Sequence, residues 1–303
     1  MNVEEAERYR RELHVHCYRM LGSYSEAEDA VQETMVRAWR KADTYEGRST
    51  YRAWLYKIAT NVCLDLIAGR KEVVLSEAPL SDVPWLEPYP DDQLPEELAV
   101  ARETIELAFL AVIQHLPPRQ RAVLVMRDVL GWPATEVAEA LEMSVPSVKS
   151  ALQRGRATLR ANLPERRSEW AKATEPSAEE REVLKRFVDA SMRADMATLA
   201  KLLREDAMQC MPPTHDFYIG RAAILDMWRP VLEGQQAWGE WRTLATSANR
   251  QPAVANYVRK PGEDHFSAVN LDVLRIEDGR IAEITTFPPE RIPSFGLPEK
   301  IFD

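Results

Sequence analysis

The stretch from Met143 to Leu163 carries four basic side chains and no acidic one. Lys149, Gln153, Arg156 and Arg160 recur at helical spacing, and Ser147, Ser150 and Arg154 widen the polar surface they form. Val148, Leu152, Gly155 and Leu159 each sit one position earlier, about 100° round the helix, and make an apolar stripe. Upstream, Thr135–Leu141 predicts a short helix with Val137, Ala138 and Leu141 turned inward, followed by a tight turn through Glu142–Val145. Pro146 suits the first turn of the second helix, where its missing N–H costs nothing. A helix that presents hydroxyls, an amide and cations beyond such a turn meets the requirements of reading base edges and phosphates in a major groove. An ordinary helical hairpin with a solvated basic face shares this pattern, so the rest of the chain has to decide.

A second cluster mixes rings and cations. Tyr45, Arg48, Tyr51, Arg52, Trp54, Tyr56, Lys57 and Asn61 surround one loop and the helix after it. Unpaired bases are held by this chemistry: aromatic stacking, with basic groups along the backbone. Trp54 also continues an apolar stripe with Leu55, Ile58 and Val62, and that spacing points to the core. One helix earlier, Ala27, Ala30, Val31, Thr34, Met35 and Ala38 form a buried stripe over Glu26–Ala42. That leaves Asp29, Gln32, Glu33, Val36, Arg37 and Arg40 outside it, a face that in isolation reads as solvated charge.

These clusters sit in a chain of 303 residues, long enough for two or three domains. Residues 1–71 predict helices with a loop at Asp43–Ser49, and residues 107–163 predict helices broken at Pro117-Pro118 and Gly131-Trp132-Pro133. Between them, residues 72–106 place Pro79, Pro84, Pro88, Pro90 and Pro95 among acids, the composition of an extended linker. A second polar linker spans 164–176, and residues 177–303 predict helices followed by strands. Glu179–Leu203 and Arg221–Leu232 read as amphipathic helices, and Trp238–Thr246, Val254–Val258, Phe266–Ile276 and Arg280–Phe287 as strands. Asp278-Gly279 predicts a hairpin between the last two. The net charge of −9 conceals a division: residues 72–106 carry one basic and ten acidic residues, whereas residues 107–168 carry nine basic and five acidic. The basic module lies behind an acidic connector.

Cys17, Cys63 and Cys210 are scattered without metal-ligand spacing, which predicts no metal, no disulfide framework and a reducing compartment. No apolar run reaches the roughly 20 residues of a membrane span, and Met1–Arg11 is charged where a signal peptide would be apolar. A cytoplasmic protein with no membrane partner is expected. In the C-terminal part, His215, Asp216, His265 and Asp272 are the polar candidates for acid–base work. They show no paired spacing, so no catalytic residue and no cofactor are expected.

Leu116-Pro-Pro-Arg-Gln-Arg-Ala-Val-Leu and Val145-Pro-Ser-Val-Lys-Ser resemble the C-terminal DNA-binding domain of sigma-70 family factors. Ala27-Glu-Asp-Ala-Val-Gln-Glu-Thr-Met-Val-Arg-Ala-Trp39 and Thr50-Tyr-Arg-Ala-Trp-Leu-Tyr-Lys-Ile-Ala-Thr-Asn61 are similar to the promoter-melting domain of the extracytoplasmic-function type. The resemblance implies core RNA polymerase and promoter DNA as partners. It places Ser147, Lys149, Ser150, Gln153, Arg154, Arg156 and Arg160 on the distal, minus-thirty-five element. Tyr45, Arg48, Tyr51, Arg52, Lys57 and Asn61 fall on the minus-ten element, and Asp29, Gln32, Glu33, Val36, Arg37 and Arg40 on the coiled coil of the polymerase's largest subunit. It also implies that the acidic connector crosses the path of exported RNA. Pro133 departs from the family, which often has Ser or Thr there.

Residues 177–303 resemble SnoaL-like, NTF2-like cone domains through Leu202-Leu-Arg-Glu-Asp-Ala-Met, Met211-Pro-Pro and Gly220-Arg-Ala-Ala-Ile. A bent sheet wrapped by helices implies an apolar pocket, with Trp228, Trp238, Trp241, Tyr257, Phe266 and His265 as candidate lining. Lys260-Pro-Gly-Glu-Asp stands where one subgroup of fused factors has a glycine-rich loop. The expected architecture is therefore multidomain: two all-α modules, the second with a helix-turn-helix, plus an α+β cone. The expected function is promoter-specific initiation modulated by the cone, through a small-molecule ligand or an intramolecular contact. The competing readings are a helix-turn-helix regulator with a ligand-sensing domain, and a SnoaL-like enzyme with an accessory DNA-binding region.

Overall fold

The computed structural model describes residues 6–42, 45, 50–70, 80, 82–95, 104–163, 176–234 and 237–302. They fall into two units, Met1–Pro79 with Gln93–Lys172 and Leu80–Asp92 with Ala173–Asp303.

The first unit is helical. Helix α1 (Arg10–Leu21) ends at Gly22, whose φ of 75° closes the helix in the left-handed region glycine favours. Helix α2 (Tyr24–Arg40) starts at Ser23, whose hydroxyl accepts from the Glu26 N–H, and α3 (Tyr51–Ile67) starts at Thr50, which accepts from Ala53 N–H. The stripe Ala27, Ala30, Val31, Thr34 and Ala38 is buried as its spacing requires. Cys17 and Cys63, 46 positions apart, meet in this core, where burial and the neighbouring Cys17 thiol push the Cys63 thiol well up.

Helices α4 (Leu107–Gln114), α5 (Pro118–Leu124), α6 (Ala134–Leu141) and α7 (Val145–Asn162) belong to the same unit. The two helical modules expected as separate domains are thus packed together. Arg19 donates to the Thr104 carbonyl at 3.0 Å, and Gln114 Nε2 donates to the Arg19 carbonyl at 3.2 Å. Arg121, fully enclosed, donates to the carbonyls of Met20 and Gln114 at 2.5 and 2.6 Å. A buried guanidinium persists only when such partners satisfy it. Between α5 and α6 the chain runs through a π-helical turn, Val125–Val129.

In the second unit, α8 (Ala178–Met192) opens on a reciprocal cap: Ser177 accepts from Glu180 N–H, and the Glu180 carboxylate accepts from Ser177 N–H. The long helix expected to reach Leu203 instead breaks at Ala194, φ 51°, and restarts as α9 (Met196–Leu202). Asp195 causes the restart by accepting from the Thr198 N–H, a cap that competes with continuing the helix. Strands β1 (Leu203–Cys210) and β2 (Phe217–Ile219), then α10 (Arg221–Leu232), precede β3 (Glu240–Ala248), β4 (Gln251–Arg259), β5 (His265–Glu277), β6 (Arg280–Phe287) and β7 (Lys300–Phe302). The sheet runs β2-β1-β6-β5-β4-β3, with β7 paired to β5. All pairs are antiparallel except β1 with β6. Asp278 and Gly279, with φ of 49° and 69°, form the expected hairpin. Phe187, Leu199, Leu202, Ile224, Leu274 and Ile284 fill the core between helices and sheet.

Part of the acidic connector differs from the extended linker its composition suggests. Leu80, Val83, Leu86 and Tyr89 are buried. Tyr89 and Asn249 exchange bonds: Tyr89 N–H donates to Asn249 Oδ1 at 2.8 Å, and Asn249 N–H to the Tyr89 carbonyl at 2.9 Å. Asp91 accepts from Arg250 N–H at 2.8 Å, and Glu87 pairs with Arg291 at 2.8 Å. Asn249 and Arg250, φ 55° and 59°, form the β3–β4 turn, and that left-handed geometry turns their N–H groups toward the connector. Glu87 and Asp91 have structural partners, and four apolar side chains spaced three apart secure the segment.

Candidate nucleic-acid interface

Helix α7 is the most complete candidate surface. Ser144 caps it, accepting from Ser147 N–H at 3.2 Å, and Pro146 occupies its first turn. The turn before it passes through Glu142 at φ 53°. Val148, Ala151, Leu152 and Gly155 are buried, and Leu159 is half-buried. Gly155 lies so close to α5 that an added Cβ would stand 3.0 Å from the Leu124 side chain. This close seat turns Ser147, Lys149, Ser150, Gln153, Arg154, Arg156 and Arg160 outward, and all seven are exposed. Among the described residues Lys149, Arg154 and Arg160 have no ion-pair partner. Arg156 does: its fork grips Asp128 at 2.8 and 2.7 Å, which raises its pKa through that hydrogen bond and ties α7 to the π-turn. Pro133 caps α6 without a side-chain bond.

The aromatic-basic cluster is also assembled on one side. Tyr51 and Trp54 stack with centroids 5.6 Å apart, Tyr45 lies 5.7 Å from Tyr51 and 5.3 Å from Trp54, and Tyr9 joins the edge of Tyr51 at 6.0 Å. Trp54 is half-buried in this surface cluster rather than in the core stripe, whose members Leu55, Ile58 and Val62 are buried. Lys57 and Asn61 are half-buried on the same helix. Arg52 is committed: its fork meets the buried Glu12 carboxylate at 2.9 and 2.8 Å over the Tyr56 ring. Arg48 lies outside the described residues.

On α2, Asp29, Gln32, Val36 and Arg40 are exposed, while Glu33 and Arg37 are half-exposed. Arg37 bridges Glu33 and Asp65, each at 2.7 Å, and thereby fixes α2 against α3. Sequence reasoning missed Trp39. It is 68 % exposed, one turn from Val36, and Leu66 is exposed next to Asp65 on α3. Contiguous exposed apolar side chains can mark a surface that binds protein. The available signal was Trp39 falling outside the stripe of Ala27 to Ala38.

The cone encloses a cavity of about 380 Å³. Trp228 and Trp238 line it, and so does Trp241. Tyr257 does not: Asn256 faces the cavity, and alternation along β4 turns Tyr257 to the other side of the sheet. His265 is also outside the lining, bonded to Asp264 at 2.8 Å and packed on Phe302. Phe266 lies under the guanidinium groups of Arg242 and Arg259, at 4.2 and 4.6 Å. His215 and Asp216 are exposed. Asp272, buried among Asn256, Asn270 and Thr286, does line the cavity. Among the described residues no group of His, Cys, Asp and Glu is placed to hold a metal, and no helix is long and apolar enough to cross a membrane.

A helix-turn-helix unit fused to an NTF2-like cone defines the class. Residues 6–73 match Sigma-70 region 2, residues 106–159 match Sigma-70, region 4, and residues 184–284 match the SnoaL-like domain. Over 97% of its length the chain is 38% identical to the ECF RNA polymerase sigma factor SigG of Mycobacterium tuberculosis strain H37Rv, covering 83% of that protein. It is 33% identical to SigW of Bacillus subtilis strain 168 over 51% of this chain and 84% of that one. The crystal structure of the Mycobacterium tuberculosis extracytoplasmic function sigma factor SigJ has the same fold, with a TM-score of 0.65 at 22% identity over 98% of this chain and 100% of that one. The chain belongs to the ECF RNA polymerase sigma factors and carries a SnoaL-like C-terminal domain.

Proposed function

We propose that this protein is an alternative sigma factor that binds core RNA polymerase in the cytoplasm, directs it to specific promoters, and is modulated by its cone domain. The observation that carries the reading is α7: three cations without partners among the described residues, on a capped helix whose opposite face is locked against α5. Lys149, Arg154 and Arg160, with Ser147, Ser150 and Gln153, contact the distal element, and Arg156 contributes in part because Asp128 already holds its fork. Tyr45, Tyr51, Lys57 and Asn61 hold unpaired bases of the proximal element, with Arg48 at the same loop and Arg52 orienting the helix through Glu12. Asp29, Gln32, Glu33, Val36, Arg37 and Arg40 dock on the polymerase, joined by Trp39.

Binding of promoter DNA over a salt series tests the assignments. A phosphate contact removed from α7 lowers the salt slope by about one and weakens all sequences alike, whereas a lost base contact costs roughly 1–3 kcal/mol at one promoter position. Lys149→Ala and Arg154→Ala should each show one of these two signatures. Binding that is unchanged at every salt concentration removes them from the interface.

A further inference from the structure

The cone's cavity has a polar floor with no assigned partner. The Asp272 carboxylate, 5 % exposed, accepts from Thr286 Oγ1 at 2.6 Å, Asn256 Nδ2 at 2.8 Å and Asn270 Nδ2 at 3.1 Å. Gln209 Nε2 donates to Thr286 Oγ1 at 2.8 Å, and Trp228 Nε1 donates to Gln209 Oε1 at 2.9 Å. A register shift between β4 and β5 at Asn256/Tyr257 brings both Val269 and Asn270 to the cavity side, as bulges do beside binding sites. A carboxylate offers about four acceptor positions. Oδ1 receives two of the three donors and Oδ2 receives one, so Oδ2 keeps a position for a donor inside the cavity.

The remaining walls are largely apolar, with no basic side chain among the described residues. Trp238 and Trp241 stack at 6.1 Å with 20° between their planes, and Trp238, 45 % exposed, stands at the rim. The Trp241 N–H is buried without a hydrogen-bond partner. Burial pushes the Asp272 pKa up to about 6 against the lowering effect of Thr286 and Asn256, so a second charge brought to this floor would have to be desolvated as well.

We propose that the cavity binds an uncharged, flat aromatic molecule bearing a hydroxyl or N–H donor, with its rings against the tryptophans and its donor on Asp272 Oδ2. A volume of about 380 Å³ lies within the range of small-molecule sites. The inference deepens the reading of the cone as regulatory, but its test reads binding alone and stands apart from transcription.

Calorimetric titration of the full chain with 2-naphthol, naphthalene and 2-naphthoate decides it. Saturable binding of 2-naphthol, about tenfold tighter than naphthalene because of the added hydrogen bond to a charged group, with no binding of the naphthoate anion, is the expected result. Asp272→Asn should abolish the preference for the hydroxyl while naphthalene still binds, and Ser191→Trp, which fills the cavity from α8, should abolish both. Absence of 2-naphthol binding to the unaltered chain, equal affinity for naphthalene, tight naphthoate binding, or binding that survives Ser191→Trp overturns the proposal.

Discussion

The Arg121 guanidinium reaches across 101 positions to the carbonyl of Met20, at 2.5 Å, and a second bond to the Gln114 carbonyl at 2.6 Å completes the clasp. The two carbonyls cap helix ends that belong to different sigma regions, so one buried cation holds those regions in a closed unit. Elements named minus-ten and minus-thirty-five lie about 25 base pairs apart, or about 85 Å at 3.4 Å per step. A compact unit of this size is roughly 40 Å across. The proposed reading of both elements at once therefore predicts that the Arg121 contact opens. Arg121→Ala should destabilise the free protein by roughly 3 kcal/mol in urea unfolding, since it strands buried carbonyls. If polymerase pulls the regions apart, the same variant should bind core enzyme no more weakly than the unaltered chain. A loss of core affinity that tracks the loss of stability would contradict the opening.

Trp39 makes a sharper prediction because most of its surface stands exposed. Trp39→Ala should leave the unfolding midpoint within about 0.5 kcal/mol of the original, as surface changes do. Core polymerase binding should weaken by about thirtyfold, the loss of one aromatic hot spot. Pull-down titration against core enzyme measures this, and unaltered affinity would return Trp39 to ordinary surface.

The connector is tested through Tyr89. Its ring is buried, and its backbone pairs with Asn249. Tyr89→Ala should release residues 80–92 from the cone and make them the first site of limited proteolysis, at an equilibrium cost of about 3–5 kcal/mol for a large buried side chain. Unchanged cleavage kinetics would mean that Leu80, Val83, Leu86, Glu87 and Asp91 hold the segment without Tyr89.

Acid affects the two units with opposite sign. His16 donates through Nε2 to Thr60 Oγ1 at 2.9 Å, because the Thr60 hydroxyl proton is already given to the Tyr56 carbonyl; full burial lowers the His16 pKa to about 3. The unfolded chain then binds the extra proton, so this contribution to stability is present above pH 6.5 and is lost as pH falls toward 3. Asp272 behaves conversely. Burial raises it from 3.8 to about 6, the folded state holds the proton longer, and stability drops by roughly 3 kcal/mol as pH rises across that window. Urea unfolding from pH 4 to 7 should show His16→Gln losing less at low pH than the unaltered chain. Asp272→Asn should lose less at high pH. Parallel curves for all three proteins would contradict both assignments.

How much of this was legible depends on where the partners lie. The α7 surface could be read because its burial at Val148, Leu152 and Gly155 follows a local period, and the cap and Pro146 are neighbours in sequence. The Arg156 fork on Asp128 could not be read, since 28 positions and a π-turn separate the two. The cavity floor was hidden more deeply. Gln209, Asn256, Asn270, Asp272 and Thr286 come from four strands, and a bulge shifts which of them share a face. Tyr257 and His265 look like pocket residues by type, and alternation and local pairing send them elsewhere. The connector misled through composition: its acids and prolines outnumber Leu80, Val83, Leu86 and Tyr89, yet those four are the ones the fold buries.

Run-off transcription with purified core RNA polymerase, on linear genomic fragments, tests the central claim most directly. With the full chain added, core enzyme should initiate at discrete start sites, and combined Lys149→Ala and Arg154→Ala substitutions should reduce initiation at those sites. A conventional helix-turn-helix regulator would give no specific initiation with core enzyme alone and would change output only when another sigma factor was already present. That second result would contradict the account.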